Sequence, residues 1–392
     1  MVSPQKAVQS ATEGGELGSS VSEFRTDERR QDEPRLHRVV LDDLRRSGLR
    51  GTLARDVQDL YDFYLDEPRR ARLESMGRVR RFFVVGFWLF RGLLLKLHPT
   101  RRLMLLAAIL LGLFGEVSFN LGGDVRVGVD PRFWGILLLL VVLMLELKDK
   151  LLARDEIEVA REVQLALLPK RAPNCEGFAL WSVTLPANDV GGDLIDYLPL
   201  DGRRLGAALG DVAGKGLGAA LLMAKLQATL RALAPSCPRL ADLGSQINGI
   251  LHRDGLENRY ATLFYLELTP GVGSVRYLNA GHNPPYVIRG ATLQTVPSSS
   301  LPLGMLPGTT FVEGRVEMNP GDLLVVYSDG LTEARNASGD EFGTERLEAL
   351  LRQLGVDSPE RSGERILAEF RRFVGNERTH DDLSLLLVRR EA

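Results

Sequence analysis

Gly210-Asp211-Val212-Ala213-Gly214-Lys215-Gly216 follows directly on the apolar run Leu205–Leu209, and its reading decides the fold. An acidic side chain at the end of a strand-like run, flanked by glycines, can turn into a cleft while its neighbours pack a sheet. The pattern returns elsewhere in the C-terminal half. Pro186-Ala187-Asn188-Asp189-Val190-Gly191-Gly192-Asp193 has Asp196 after it, Leu323–Tyr327 runs into Ser328-Asp329-Gly330, and Asp381-Asp382 leads into Leu383–Val388. Any one of these alone reads more readily as a turn than as a ligand. Taken together, with no Cys or His cluster beside them, they describe an all-oxygen site for a hard cation, Mg²⁺ or Mn²⁺ rather than zinc or copper. A phosphate-loop reading of Gly210–Gly216 fails, because Lys215 is followed by Gly216 rather than Ser or Thr.

The chain has 392 residues with 49 basic and 51 acidic side chains, a net charge of −2 that excludes a globally basic nucleic-acid binder. At about 100–200 residues per domain, its length allows two or three units. Cys175 and Cys237 are far apart in sequence, which excludes a disulfide framework and a structural zinc site and suits a reducing compartment.

Residues 1–38 are rich in Ser, Gly, Glu, Gln and Arg and are expected to be a disordered cytoplasmic tail. No charged start followed by an apolar core stands near Met1, so no cleaved signal peptide is expected. From Val39 to about residue 100 the spacing predicts amphipathic helices, the apolar and Arg-containing stretch 82–97 lying on the membrane interface. Leu103–Leu121 and 133–148 predict two transmembrane helices around a short external loop, 122–132, set against the roughly 20 residues a spanning helix needs. Gly122-Gly123-Asp124 in that loop mimics the first acidic motif by coincidence. Arg91, Lys96, Arg101 and Arg102 before the first span and Lys148, Lys150 and Arg154 after the second put both chain ends in the cytoplasm. The alternatives are a third span at 82–97 and a buried helical hairpin of a soluble domain. Residues 149–170 predict a charged linker helix with Leu152, Val159, Val163 and Ala166 on one stripe, ended by Pro169. Beyond it, short strand-like runs alternate with amphipathic helices at about 217–233 and 361–374.

In their order along the chain these motifs resemble the metal-dependent protein phosphatases (the PPM or protein phosphatase 2C-like family), and within them the bacterial SpoIIE-like, RsbU-type serine phosphatases. The resemblance runs from about Glu162 to Arg390. It takes in Gln164-Leu165-Ala166-Leu167-Leu168-Pro169, the acidic motifs, Ala261-Thr262-Leu263-Phe264-Tyr265, Asn279-Ala280-Gly281-His282-Asn283-Pro284-Pro285 and Leu301-Pro302-Leu303-Gly304. Leu194-Ile195 departs from it, standing where an aromatic pair is usual.

The resemblance implies an α+β fold over 171–392, a four-layer α-β-β-α sandwich of two antiparallel sheets, here preceded by the membrane anchor and linker helix. It implies two ions, Mn²⁺ or Mg²⁺. Asp211 would bridge them, Asp193 and the Val212 carbonyl would hold one, and Asp329 and Asp381 the other. Asp211 and Asp193 would thus be catalytic through the metal-activated water, while Asp382 shapes the turn and is a weaker candidate ligand. Lys215 and His380 are candidate contacts to phosphate or substrate, although each also reads as a solvated loop residue. His282, in a Gly/Pro-rich turn, reads as structural, and Cys237 as a loop residue. Eukaryotic relatives grip phosphate with an Arg near the first metal motif, and Phe178–Asp193 contains none.

The expectation is a serine/threonine phosphatase at the inner (cytoplasmic) membrane, multi-pass, with its catalytic domain in the cytoplasm. It would act on a phosphoprotein, possibly an anti-sigma-factor antagonist in a partner-switching pathway, would bind no nucleic acid, and would form a homodimer through the linker helix. The competing readings are a catalytically silent scaffold of the same fold and a phosphatase for another phosphoester such as a nucleotide.

Overall fold

The computed structural model describes residues 77–391 except Glu116, 121–125, Lys170, 255–258, Ser299 and Val356. The expected tail at 1–38 and the amphipathic helices up to residue 76 lie outside the described residues. The chain divides into two compact units, Met1–Val142 and Leu143–Ala392.

In the first unit, α1 (Arg78–Lys96) is followed by α2 (Pro99–Leu113), which opens with proline at its first turn, where a missing N–H costs nothing. Arg102 reaches back from α2 and donates to the carbonyls of Leu94 at 3.0 Å and Leu95 at 2.9 Å, satisfying acceptors that the end of α1 leaves open. Two expectations need correction here. The helix expected over 103–121 stops at Leu113, and Val117–Asn120 (β1) pairs antiparallel with Arg126–Val129 (β2). Gly115 interrupts the helix, and the backbone register pairs Val117 with Val129 and Phe119 with Val127, β-branched and aromatic residue types common in strands. The expected external loop at 122–132 is therefore partly strand. With 15 residues, α2 is about 22 Å long, shorter than the roughly 30 Å of a bilayer's hydrocarbon core.

The second correction concerns the expected span at 133–148 and linker at 149–170, which are one unbroken helix, α3 (Pro131–Leu167). The switch from apolar to charged residues near Lys148 changes what the helix faces but not its backbone, since no Gly or Pro lies between Gly135 and Pro169. A Cβ at Gly135 would stand 2.9 Å from the Ala108 carbonyl oxygen, so glycine is what admits the close approach of α3 to α2. Among the described residues only Leu217–Ser236 is long and apolar enough, by length and composition, to cross a membrane, and 44% of it is buried in the second unit.

The second unit is built on two five-stranded antiparallel sheets. One has the order β10-β7-β6-β5-β4, made of Glu313–Glu317, Ser274–Ala280, Ala261–Leu268, Leu205–Val212 and Leu194–Pro199. The other has the order β3-β12-β11-β8-β9, made of Phe178–Leu185, Leu383–Arg390, Leu323–Tyr327, Tyr286–Arg289 and Thr292–Thr295. The strands read as continuous apolar runs because both faces are covered. In β11, Leu324 and Val326 point into the layer between the sheets, where Leu209, Phe264 and Leu386 join them. Leu323, Val325 and Tyr327 point outward against Leu347, Ile366 and Phe370 of α7 (Gly343–Leu351) and α8 (Pro359–Val374). On the other outer face, Leu194, Ala208 and Val212 pack with Met223, Leu226 and Leu243 of α4 (Leu217–Leu233) and α5 (Leu240–Asp254). Each fully buried Leu, Ile, Val or Phe contributes about 1.5–3 kcal/mol to this arrangement. It is the expected four-layer sandwich, with helix boundaries close to those read from periodicity. A short helix, α6 (Asp329–Thr332), follows β11.

Candidate functional site

The acidic motifs meet at one end of the sandwich. Asp211 lies in β5 opposite Thr262 of β6, and Asp193 closes the loop that feeds β4. Asp329 opens α6 after β11, and Asp381 precedes β12, the neighbour of β11. The antiparallel register of two sheets thus gathers side chains that are distant in sequence.

Asp193 is 2% exposed, and its Oδ2 has no hydrogen-bond partner. Its pKa is raised well above the carboxylate range, chiefly by burial and then by the charge of Asp211, while the hydroxyls of Ser384 and Ser328 pull the other way. Burial first, then the charges of Asp329, Asp381 and Asp382, push Asp211 up to about 7. Burial and then Asp381 and Glu333 push Asp329 up to about 6. A Cβ on Gly192 would stand 3.2 Å from the Val212 carbonyl oxygen and 3.5 Å from Asp211 Oδ1, so bare backbone keeps those oxygens open beside Asp193.

Mutually repelling carboxylates, one with an orphaned buried oxygen, beside the Val212 carbonyl form an all-oxygen donor set and fit hard divalent cations. No set of three or more His, Cys, Asp and Glu side chains among the described residues already closes on a single point. The donors stand near one another without forming a finished cage.

Of the other expected residues, Lys215 sits at the mouth, its Nζ 3.3 Å from Asp381 Oδ2 and donating to the His380 carbonyl oxygen. Lys215, His380, Asp381, Glu333, Arg335 and Glu341 line a cavity of about 280 Å³ beside the cleft. His282 is buried, its pKa lowered to about 4 by desolvation, and its Nδ1 pairs with Thr262 Oγ1 at 2.9 Å. Its burial favours the neutral ring. Asp196 does not join the cleft. It is fully buried and paired with Arg231 of α4 through two 2.7 Å bonds.

Three features escaped the reading of the sequence. Gln164, near the end of α3, holds Gly191 from both sides, accepting from its N–H at 3.0 Å and donating to its carbonyl at 2.7 Å. The Asp382 carboxylate grips the same loop through the N–H groups of Ala187 and Gly192. The guanidinium of Arg259 lies against Gly214 and Gly218, where a Cβ on Gly218 would stand 2.8 Å from it, and its Nη1 is buried without a partner. Glycine spacing was the only sequence signal for these contacts, and it does not name the partner.

Residues 201–391 match the family described as stage II sporulation protein E (SpoIIE). The domain is a SpoIIE-family domain. Asp211, Asp329 and Asp381 fall inside the match, and Asp193 lies just ahead of it. Among curated relatives, Protein IcfG of Synechocystis sp. (strain ATCC 27184 / PCC 6803 / Kazusa) is 30% identical over 230 residues, covering 52% of this chain and 36% of its own length. Phosphoserine phosphatase RsbU of Bacillus subtilis (strain 168) is 26% identical over 240 residues, covering 61% of this chain and 71% of RsbU. The chain therefore spans little more than a third of the first of these relatives. The SpoIIE-family domain also shares its fold with the SiaA-PP2C domain of Pseudomonas aeruginosa, at a TM-score of 0.53 and 21% identity, covering 62% of this chain and 98% of that one.

Proposed function

We propose that the chain is a membrane-anchored, metal-dependent protein serine/threonine phosphatase. It hydrolyses phosphoserine or phosphothreonine on a regulatory protein of the anti-sigma-factor-antagonist type in a partner-switching pathway. The observation that carries the reading is the meeting of Asp193, Asp211, the Val212 carbonyl, Asp329 and Asp381 in one cleft, with Asp193 Oδ2 buried and unpartnered. Two divalent ions, Mn²⁺ or Mg²⁺, would supply charge to clamp the phosphoryl oxygens and acidify a shared water. Asp211 would serve both ions, Asp193 and the Val212 carbonyl would hold one, and Asp329 and Asp381 would hold the other. Lys215, held at the mouth by Asp381, draws phosphate toward the cleft. No nucleophilic Ser or Cys with a base is required, because water is the nucleophile.

Two supports bear on anchoring and control. Phe83, Phe87, Leu103, Leu110, Leu113, Phe133, Trp134, Ile136 and Leu140 are exposed on α1 to α3, an apolar surface that suits a bilayer, with the catalytic domain on the cytoplasmic side of the inner membrane. Val159 and Val163 are likewise exposed along α3, the stripe through which two copies would pair.

The test is phosphate release from a phosphoserine protein by the full chain with Mn²⁺, with Mg²⁺ and with chelator. Metal-dependent release, abolished in Asp211→Asn while the fold persists, is the expected result. Undiminished turnover in that variant overturns the assignment, and a folded chain that binds metal but releases nothing favours a silent scaffold.

A further inference from the structure

Asp382 is 4% exposed, and its carboxylate is committed to the chain itself. Oδ1 accepts the Ala187 N–H at 2.7 Å and Oδ2 accepts the Gly192 N–H at 2.6 Å. A Cβ on Gly191 would stand 2.5 Å from Oδ2, so only glycine lets the carboxylate reach this loop. The backbone of Asp382 is equally engaged. Its carbonyl accepts from Ser328 Oγ at 3.0 Å, its N–H donates to Asp381 Oδ1 at 3.0 Å, and a Cβ on Gly330 would overlap its carbonyl. Each of these arms ends on a segment that carries a donor of the cleft. The loop 187–192 runs into Asp193, Ser328 and Gly330 flank Asp329, and Asp381 is adjacent.

Given the cation site proposed above, we infer that Asp382 is a positioning residue rather than a ligand. Two short N–H bonds to an ionised carboxylate are charge-assisted and about twice as strong as neutral ones, and they satisfy both oxygens. Asp382 therefore fixes the loop so that Asp193 faces Asp211 and the Val212 carbonyl. It also joins the half of the centre built on the loop before β4 to the half built on β11 and β12. A cation held by Asp193 depends on this brace as metal ligands depend on the groups that orient them.

The experiment uses the full chain in detergent with Asp382→Asn. The amide preserves volume but sets an NH₂ group against one of the two N–H donors. In the metal-free protein, hydrogen exchange across residues 186–193 accelerates about tenfold or more, through loss of local protection. In calorimetric titration with Mn²⁺, affinity falls about 10–100-fold while the number of ions bound at saturation stays the same. Saturating Mn²⁺ restores turnover, which a folding defect does not allow. Gly191→Ala strikes the same clamp from the other side and carries the same readouts if Asp382→Asn does not fold.

Loss of an ion from the saturated stoichiometry makes Asp382 a ligand and overturns the inference. Faster exchange without weaker binding overturns it, as does weaker binding without faster exchange. Both measurements are made without turnover, so a chain that releases no phosphate leaves this result interpretable by itself.

Discussion

Asp211 and Asp329 carry the clearest electrostatic signature in the molecule, and it has a definite sign. Their folded pKa values, about 7 and about 6, lie above those of an unfolded carboxylate, chiefly through burial. A raised folded pKa contributes stability that is complete below about pH 4 and is lost as pH climbs through 6 to 7. The metal-free chain should therefore melt at lower temperature at pH 8 than at pH 5.5, with Mn²⁺ abolishing most of the difference. Asp211→Asn should raise the metal-free midpoint at pH 8, by about 2–4 °C for each kcal/mol of desolvation and repulsion removed, even as it ends activity. Calorimetric scans at the two pH values check this, and a midpoint indifferent to pH counts against it.

Arg231 poses the opposite case. Removing it by Arg231→Leu strands the buried Asp196 charge and should cost about 3 kcal/mol, read as a shifted denaturant midpoint. The four cleft carboxylates were legible in the sequence because each stands at the end of a strand-like run, three of them next to glycine. Asp382 was read only as shaping its turn, and Gln164 and Arg259 were given no role, because their partners are ones that only the folded chain brings near.

At the level of elements, α4 and α8 follow their apolar periodicity almost to the residue, since each covers a sheet face and the pattern is enforced by burial. The errors fell where burial by protein does not constrain the pattern. Leu103–Leu121 reads as one apolar segment, yet Gly115 and the β-forming Val117 and Phe119 end α2 early. The boundary placed at Lys148 followed composition, whereas backbone continuity follows the absence of helix breakers.

That continuity gives α3 a role at the cleft, because its last turns carry Gln164, the clamp on Gly191. Gln227 of α4 fastens the same end by donating to the Leu167 carbonyl at 2.9 Å. Gln164→Ala should raise the Mn²⁺ concentration needed for half-maximal activity several-fold, with the melting midpoint changed by only a few degrees. Activation curves identical to the parent protein would remove α3 from the control of the cleft.

For the molecule as a whole, the apolar exteriors of α1 to α3 predict that the full chain stays with membranes through alkaline carbonate extraction and is released by detergent. Recovery in the carbonate supernatant would refute the anchoring proposal. A variant beginning at Asp149 should be soluble and metal-dependent. One beginning at Cys175 lacks Gln164 and the α3 stripe, and should differ in both activity and association state. Equal behaviour of the two would argue against coupling through α3.

The pairing of β3 with β12 carries a consequence for biosynthesis. Phe178–Leu185, the first strand of the domain, finds its neighbour only in Leu383–Arg390, the last. Gly192, next to Asp193, likewise waits on Asp382 across a separation of 190 residues. Contacts this distant in sequence make folding slow and leave strand edges open until late. A nascent chain therefore has no working cleft until Arg390 has been made. Activity should appear in a single step once translation has passed Arg390, and messages broken before that point should yield chaperone clients rather than partial enzymes.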